Sequence, residues 1–136
     1  MTTGDHPHSE LLQRLFALRD TGTIAQWADA AAEDWKPDLN ECHRNADIVA
    51  GRSPDGWTAI RGWFVNDLSL AELIGFRSHI AFIAHSVVAD QEGKLFDITP
   101  SRASKQYPFI RHPGTNAEFE DLIDHKNVKQ LNYFFD

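Results

Sequence analysis

Apolar residues at Leu11, Leu12, Leu15, Phe16 and Leu18 follow the i, i+3, i+4 spacing that puts one stripe along a helix, and Gly22 closes the run. Ser9 stands as its N-cap. Thr23 with Gln26 forms a capping box for a second helix, with Ile24, Trp27 and Ala28 inward, running to about Trp35 before Pro37 breaks it. Asp38 with Glu41 repeats that signal and predicts a third helix over Leu39 to Val49, ended near Gly51. Cys42 then falls in or just after the first turn of that helix.

Beyond a turn at Arg52 to Gly56 the period changes from helical to alternating. Trp57 to Val65 reads as a strand with Trp57, Ala59, Arg61, Trp63 and Val65 on one face. Ser69 to Gly75 is a short helix or an irregular lid. His79 to Ala89 is apolar on both faces, the signature of a central strand, and Lys94 to Thr99 returns along it after a polar turn ending in Gly93. Tyr107 to Ile110 is a further strand before the His112-Pro113-Gly114 turn. Thr115 with Glu118 caps a last helix carrying Phe119, Leu122 and Ile123, and Leu131 to Phe135 supplies an edge strand or packs on the helices. Helices lead and antiparallel strands follow, so the predicted class is α+β, with N-terminal helices packed on an antiparallel sheet. Residues 1–8 read as a loose tail and 9–136 as one domain.

Composition narrows the partners. The 136 residues are 42% hydrophobic and 24% charged, as in ordinary globular proteins. A formal net charge of -7 argues against nucleic acid and anionic membrane surfaces, which require clustered Lys and Arg. No apolar run approaches the roughly 20 residues that span a bilayer. Met1 to Ser9 lacks the basic and apolar segments of a secretory signal, and a single cysteine permits no internal disulfide, so the expected location is the cytoplasm.

The candidate chemistry centres on that cysteine. Near a helix N-terminus, unpaired amides and the macrodipole favour thiolate and can also bind an oxyanion. Downstream, His85 shares a strand face with Ala81, Ile83 and Val87, and Asp97 shares one with Leu95 and Thr99. A hairpin pairing Val88 with Lys94 would set His85 directly opposite Asp97, giving the base and its orienter in a Cys42-His85-Asp97 triad. His79 lies on the same face but too far along the strand to meet Asp97. Aspartate is disfavoured inside strands unless it has a partner; the competing reading of Asp97 is a turn residue capping Thr99 or Ser101. Zinc is the rival chemistry, with Cys42, His43, His85 and Asp97 as conceivable ligands. No Cys-x-x-Cys or His-x-x-x-His spacing supports it, and Cys42 and His43 should point about 100° apart on a helix, so neither metal nor organic cofactor is expected.

The order Cys42, His85, Asp97, with Cys42 at a helix start and the run His85-Ser86-Val87-Val88, Gly93, Leu95 and Asp97-Ile98-Thr99-Pro100, resembles the transglutaminase-like branch of the papain-like cysteine enzymes. The stretch Cys42-His43-Arg44-Asn45, followed by Gly56-Trp57 and this hairpin, also resembles a group of small bacterial proteins. The resemblance covers about residues 38 to 100. It implies a papain-like fold and a cysteine-dependent amide hydrolase or acyl transferase: a protease, deamidase or amidase acting on a peptide, a protein or a small amide. Ser86 stands where the family carries an aromatic, so acyl-acceptor specificity does not transfer. The implied chemistry calls for a side-chain oxyanion donor, with Asn45, Asn40 and Gln26 as candidates, and for cleft walls, with Trp57, Trp63 and Phe64 as candidates. Specificity would lie in loops such as Asp67 to Ser78 and Ser101 to Gly114. The alternative is a noncatalytic binding module, in which Cys42 is buried among leucines and His85 is bonded elsewhere.

Overall fold

The computed structural model describes residues 7–53, 56–100 and 107–135. Its elements are α1 (Ser9–Leu18), β1 (Gln26–Trp27), α2 (Cys42–Arg52), β2 (Thr58–Leu68), β3 (His79–Ala89), β4 (Leu95–Asp97), β5 (Phe109–Arg111), α3 (Asn116–Asp124) and β6 (Gln130–Phe134). The class is α+β. Of the expected tail, residues 1–6 lie outside the described residues, while Pro7 and His8 form a turn into α1, whose N-cap is His8 rather than Ser9. Residues 54 and 55 of the expected turn, and 101–106 of the expected specificity loop, also lie outside them.

The sheet runs β1-β4-β3-β2-β5, with β6 also paired to β3. It is mixed rather than wholly antiparallel, because β1 pairs parallel with β4 through Gln26↔Phe96 and Trp27↔Asp97. The long β2–β3 ladder is its spine, running without a break from Thr58↔Ala89 to Leu68↔His79. The outer edge of β3 is shared: β6 pairs along His79 to Ile83, and β4 pairs only at Val88 and Ala89. Between them that edge has no partner strand.

All three helices lie on one face. Leu12 and Leu15 of α1 and Phe119 and Leu122 of α3 pack on Trp63, Val65, Ile80, Phe82, Ile110 and Leu131. Ala46 of α2 packs on Val88 and Ile98. Burying side chains of this size contributes about 2–3 kcal/mol each, so the alternation read in β2 decides which face the helices take. Thr115 caps α3 as expected, accepting a hydrogen bond from the Glu118 amide.

The expected second helix over Thr23 to Trp35 does not form. Thr23 exchanges backbone hydrogen bonds with Phe109 of β5, at 3.1 and 2.8 Å, while Gln26 and Trp27 pair with β4. One extended segment thus ties the two flanks of the sheet together over the face opposite the helices, burying Ala25 against Val87 and Phe109. The exposed backbone edges of β4 and β5 outbid a local helical preference worth only tenths of a kcal/mol per residue. Gly62 of β2 is required on this same face, since a Cβ there would run into the Ile110 carbonyl and the Phe109 ring. The stretch expected as a helix or lid is a single 3-10 turn, Ala71–Ile74, ended by Gly75 at φ 88°.

Candidate active site

α2 begins at Cys42, three residues later than the capping pattern predicts, because the Asp38 and Glu41 side chains do not cap it. The N-cap is Glu41, and it makes no side-chain capping bond. Asn45 instead anchors the approach to the helix. Fully buried, it donates from Nδ2 to the Asp38 carbonyl (2.8 Å) and to Thr99 Oγ1 (3.1 Å), and its Oδ1 accepts from the Asp38 amide (3.1 Å). That amide is spent on fixing the loop, so Asn45 is not an oxyanion donor.

His85 Nε2 donates to Asp97 Oδ2 at 3.1 Å, and Asp97 Oδ1 accepts from the Thr99 amide, also at 3.1 Å. Both readings of Asp97 therefore hold at once, one oxygen serving the turn and the other the imidazole. The predicted register does not. Val88 pairs with Phe96, not Lys94, which sets Val87 opposite Asp97 and leaves His85 on the diagonal. A shift of two residues preserves the side-chain face, and an imidazole spans the longer diagonal distance.

Cys42 is half-buried, and both His85 and His43 act on its acidity. With Nε2 held by Asp97, Nδ1 is the His85 nitrogen that faces the sulfur. His85 lies on the sheet face away from the helices, the face that also carries Val87 and Phe64.

Electrostatics polarise the pair. Burial alone pushes the Cys42 thiol up, but hydrogen bonds from His43 and His85 and the charge of the imidazoles outweigh it and bring it down to about 6. Burial pushes His85 down, and the hydrogen bonds to Asp97 and Cys42, with the charge on both, carry it up to about 9. Near neutral pH the favoured form is thiolate with imidazolium, and the two groups titrate as a unit.

The other expected residues disperse. Asn40 is exposed in a turn at φ 64°. Gln26 is exposed on β1, beside a groove lined by Thr23, Lys94 and Arg111. Trp57 stacks on Phe96 (5.1 Å between centroids) at the helix-facing core. Trp63 is fully buried, its indole N–H donating to His112 Nδ1 at 3.0 Å. Of the three aromatics offered as cleft walls only Phe64 takes that place, stacked on His85 at 4.1 Å. His79 binds the Arg77 carbonyl at the far end of β3.

Sequence reasoning passed over His43, which was expected to point away from Cys42. Its Nδ1 lies 2.6 Å from Ser86 Oγ, and Ser86 in turn accepts from Arg61 at 3.2 Å. The available signal was Arg61, a charge placed between Ala59 and Trp63 on a core-facing strand row, which demands partners. Among the described residues no group of three His, Cys, Asp or Glu side chains is arranged to hold a metal ion, and no helix is long and apolar enough to cross a membrane.

No family model, curated protein or solved structure matches this chain. The site's chemistry therefore rests on its own geometry.

Proposed function

We propose that this protein is a cysteine-dependent amide hydrolase or acyl transferase, papain-like in the transglutaminase-like sense, acting on a peptide, a protein or a small amide. The observation that carries the reading is the convergence of three groups. A thiol on the first turn of α2 is coupled to His85, whose Nε2 is held by Asp97 at 3.1 Å. A noncatalytic module would have no need of a half-exposed, ionised thiol.

Cys42 attacks the acyl carbon as thiolate, forming the S–C bond and placing charge on the carbonyl oxygen. The first-turn amides of α2, which Glu41 leaves uncapped, point toward that oxyanion from the positive end of the helix dipole. Leaving out a cap costs the helix about 1 kcal/mol, a cost compatible with reserving those donors for the oxyanion. Collapse breaks the C–N bond, and the His85 imidazolium protonates the departing amine. Water or an amine then attacks the thioester; neutral His85 takes its proton, and the thiolate leaves. Asp97 is a positioning residue, keeping Nε2 protonated and the ring aimed.

Acid-quenched mass spectrometry after mixing with p-nitrophenyl esters of graded acyl size tests the reading. An acyl adduct on Cys42 that forms faster than on a free thiol, and is slowed in His85→Ala, is expected. Acylation no faster than for a free thiol across the series, or indifferent to His85, would refute it.

A further inference from the structure

We propose that Arg61 is a positioning residue: one nitrogen of its guanidinium is shared between the helix turn that carries Cys42 and the strand that carries His85, and so fixes the two against each other. The inference rests on the reading of Cys42 and His85 as nucleophile and base, and adds a residue that acts through their neighbours.

Arg61 projects from β2 into the helix-facing layer and is only 8% exposed. A guanidinium has donors only, in a rigid fork, and does not deprotonate in proteins. Buried, it requires acceptors in fixed directions. Nη1 donates to Ser86 Oγ at 3.2 Å and reaches the His43 carbonyl at 3.4 Å. His43 directly follows the nucleophile in the chain, and Ser86 directly follows the base. Nη2 donates to both Asp47 oxygens at 2.8 Å and lies 3.5 Å from Glu120 Oε1. Asp47 stands one turn beyond His43, so the fork grips α2 at its first-turn backbone and again a turn later. His43 Nδ1 lies 2.6 Å from Ser86 Oγ, which closes the cluster around the same helix turn and the same strand.

This grip supplies a direction that core packing lacks. Ala46 seats α2 on Val88 and Ile98 at the helix-facing side of the sheet, whereas His85 faces the other side with Phe64. Apolar burial is non-directional, so the seating of α2 does not by itself register the thiol against the imidazole. A fork with acceptors on both α2 and β3 does. The charge of Arg61 is opposed by Asp47 and Glu120, and the groups that set the acidity of the thiol are the two imidazoles, working against burial. Arg61 therefore acts on Cys42 through position rather than through its charge.

The test measures Cys42 alkylation by iodoacetamide against pH, with urea denaturation alongside, in wild type, Arg61→Met, Arg61→Lys, Asp47→Ala, His85→Ala and the Arg61→Lys/His85→Ala double variant. Expected is a thiolate midpoint raised by about one pH unit in Arg61→Met and Arg61→Lys alike, because lysine keeps the charge and loses the fork, with a smaller rise in Asp47→Ala. In the double variant Arg61→Lys should add under about half a unit to His85→Ala, since the registered partner is already gone. Arg61 variants that lose stability in urea but keep the wild-type thiolate midpoint would overturn the proposal and leave the triad standing. A wild-type midpoint in Arg61→Lys beside a raised one in Arg61→Met would overturn it in favour of charge, and an undiminished effect in the double variant would overturn it as well. A wild-type midpoint near that of a free thiol, indifferent to His85→Ala, would refute the triad itself. Should both Arg61 variants fail to fold, Asp47→Ala decides, its side chain being half-exposed; an unmoved midpoint there overturns the proposal.

Discussion

Replacing His85 with alanine should not simply slow Cys42 but shift its pH dependence upward, so that the order of the two proteins' rates reverses. The thiol sits at about 6 against an ordinary 9.0, and His85 supplies a hydrogen bond and a charge toward that difference. If the whole difference were lost, the thiolate fraction at pH 6 would fall from about one-half to about one-thousandth, a roughly 500-fold loss of the attacking species. A thiolate of low pKa is also a weaker nucleophile; with a Brønsted coefficient of about 0.45, three units cost it about 20-fold. The wild type should then react with a neutral disulfide about 25-fold faster at pH 6, and about 10-fold slower at pH 9, where half of the ordinary thiol is ionised. The two rate profiles cross near pH 7.6 by the same arithmetic, about 9 minus three times the coefficient. His43 remains in the variant and keeps part of the stabilisation, so these are upper limits. The assay is stopped-flow release of 4-thiopyridone from 4,4′-dithiodipyridine between pH 5 and 10. Superimposable midpoints in the two proteins would refute the coupling of this imidazole to the sulfur.

Two further perturbations separate orientation from architecture. Asp97→Asn keeps an oxygen for the Thr99 amide but removes the charge facing His85, so the imidazole, raised to about 9 by Asp97 and Cys42 against burial, should titrate more than about one unit lower by NMR, with the Cys42 midpoint moving up; an unmoved His85 titration would show that the carboxylate does not hold it. Asn45→Leu takes the partner from the Thr99 hydroxyl and the Asp38 amide and leaves the Asp38 carbonyl only the Glu41 amide, and should cost about 2 kcal/mol in urea denaturation; a loss under about 0.5 kcal/mol would mean that solvent replaces this amide and that it does not secure the approach to α2.

Local pattern by itself determined much of the frame. The stripes at Leu12 and Leu15 and at Phe119 and Leu122, the Thr115 cap, and the two-sided apolar run of β3 depend on neighbours within a turn or a strand, so their sequence signals survive into the structure. The sequence also pairs His85 with Asp97, because a period of two protects the side-chain face against a register error of two residues. What it misreads is decided by distant backbone. Thr23 to Trp27 carries capping and apolar signals for a helix, yet β4 and β5 offer hydrogen bonds that only the folded sheet possesses. The α2 start moves to Cys42 because Asn45 reaches back to Asp38 and across to Thr99, a contact no local rule encodes. Alternation already separates Trp57 and Trp63 from Phe64, and packing then shows which face carries the helices and which carries His85. The second histidine is the plainest case. His43, Ser86 and Arg61 come from α2, β3 and β2, and a buried guanidinium finds its acceptors in whatever the tertiary fold brings within about 3 Å. Periodicity therefore specified which faces are buried, while the packing of those faces decided which polar groups meet.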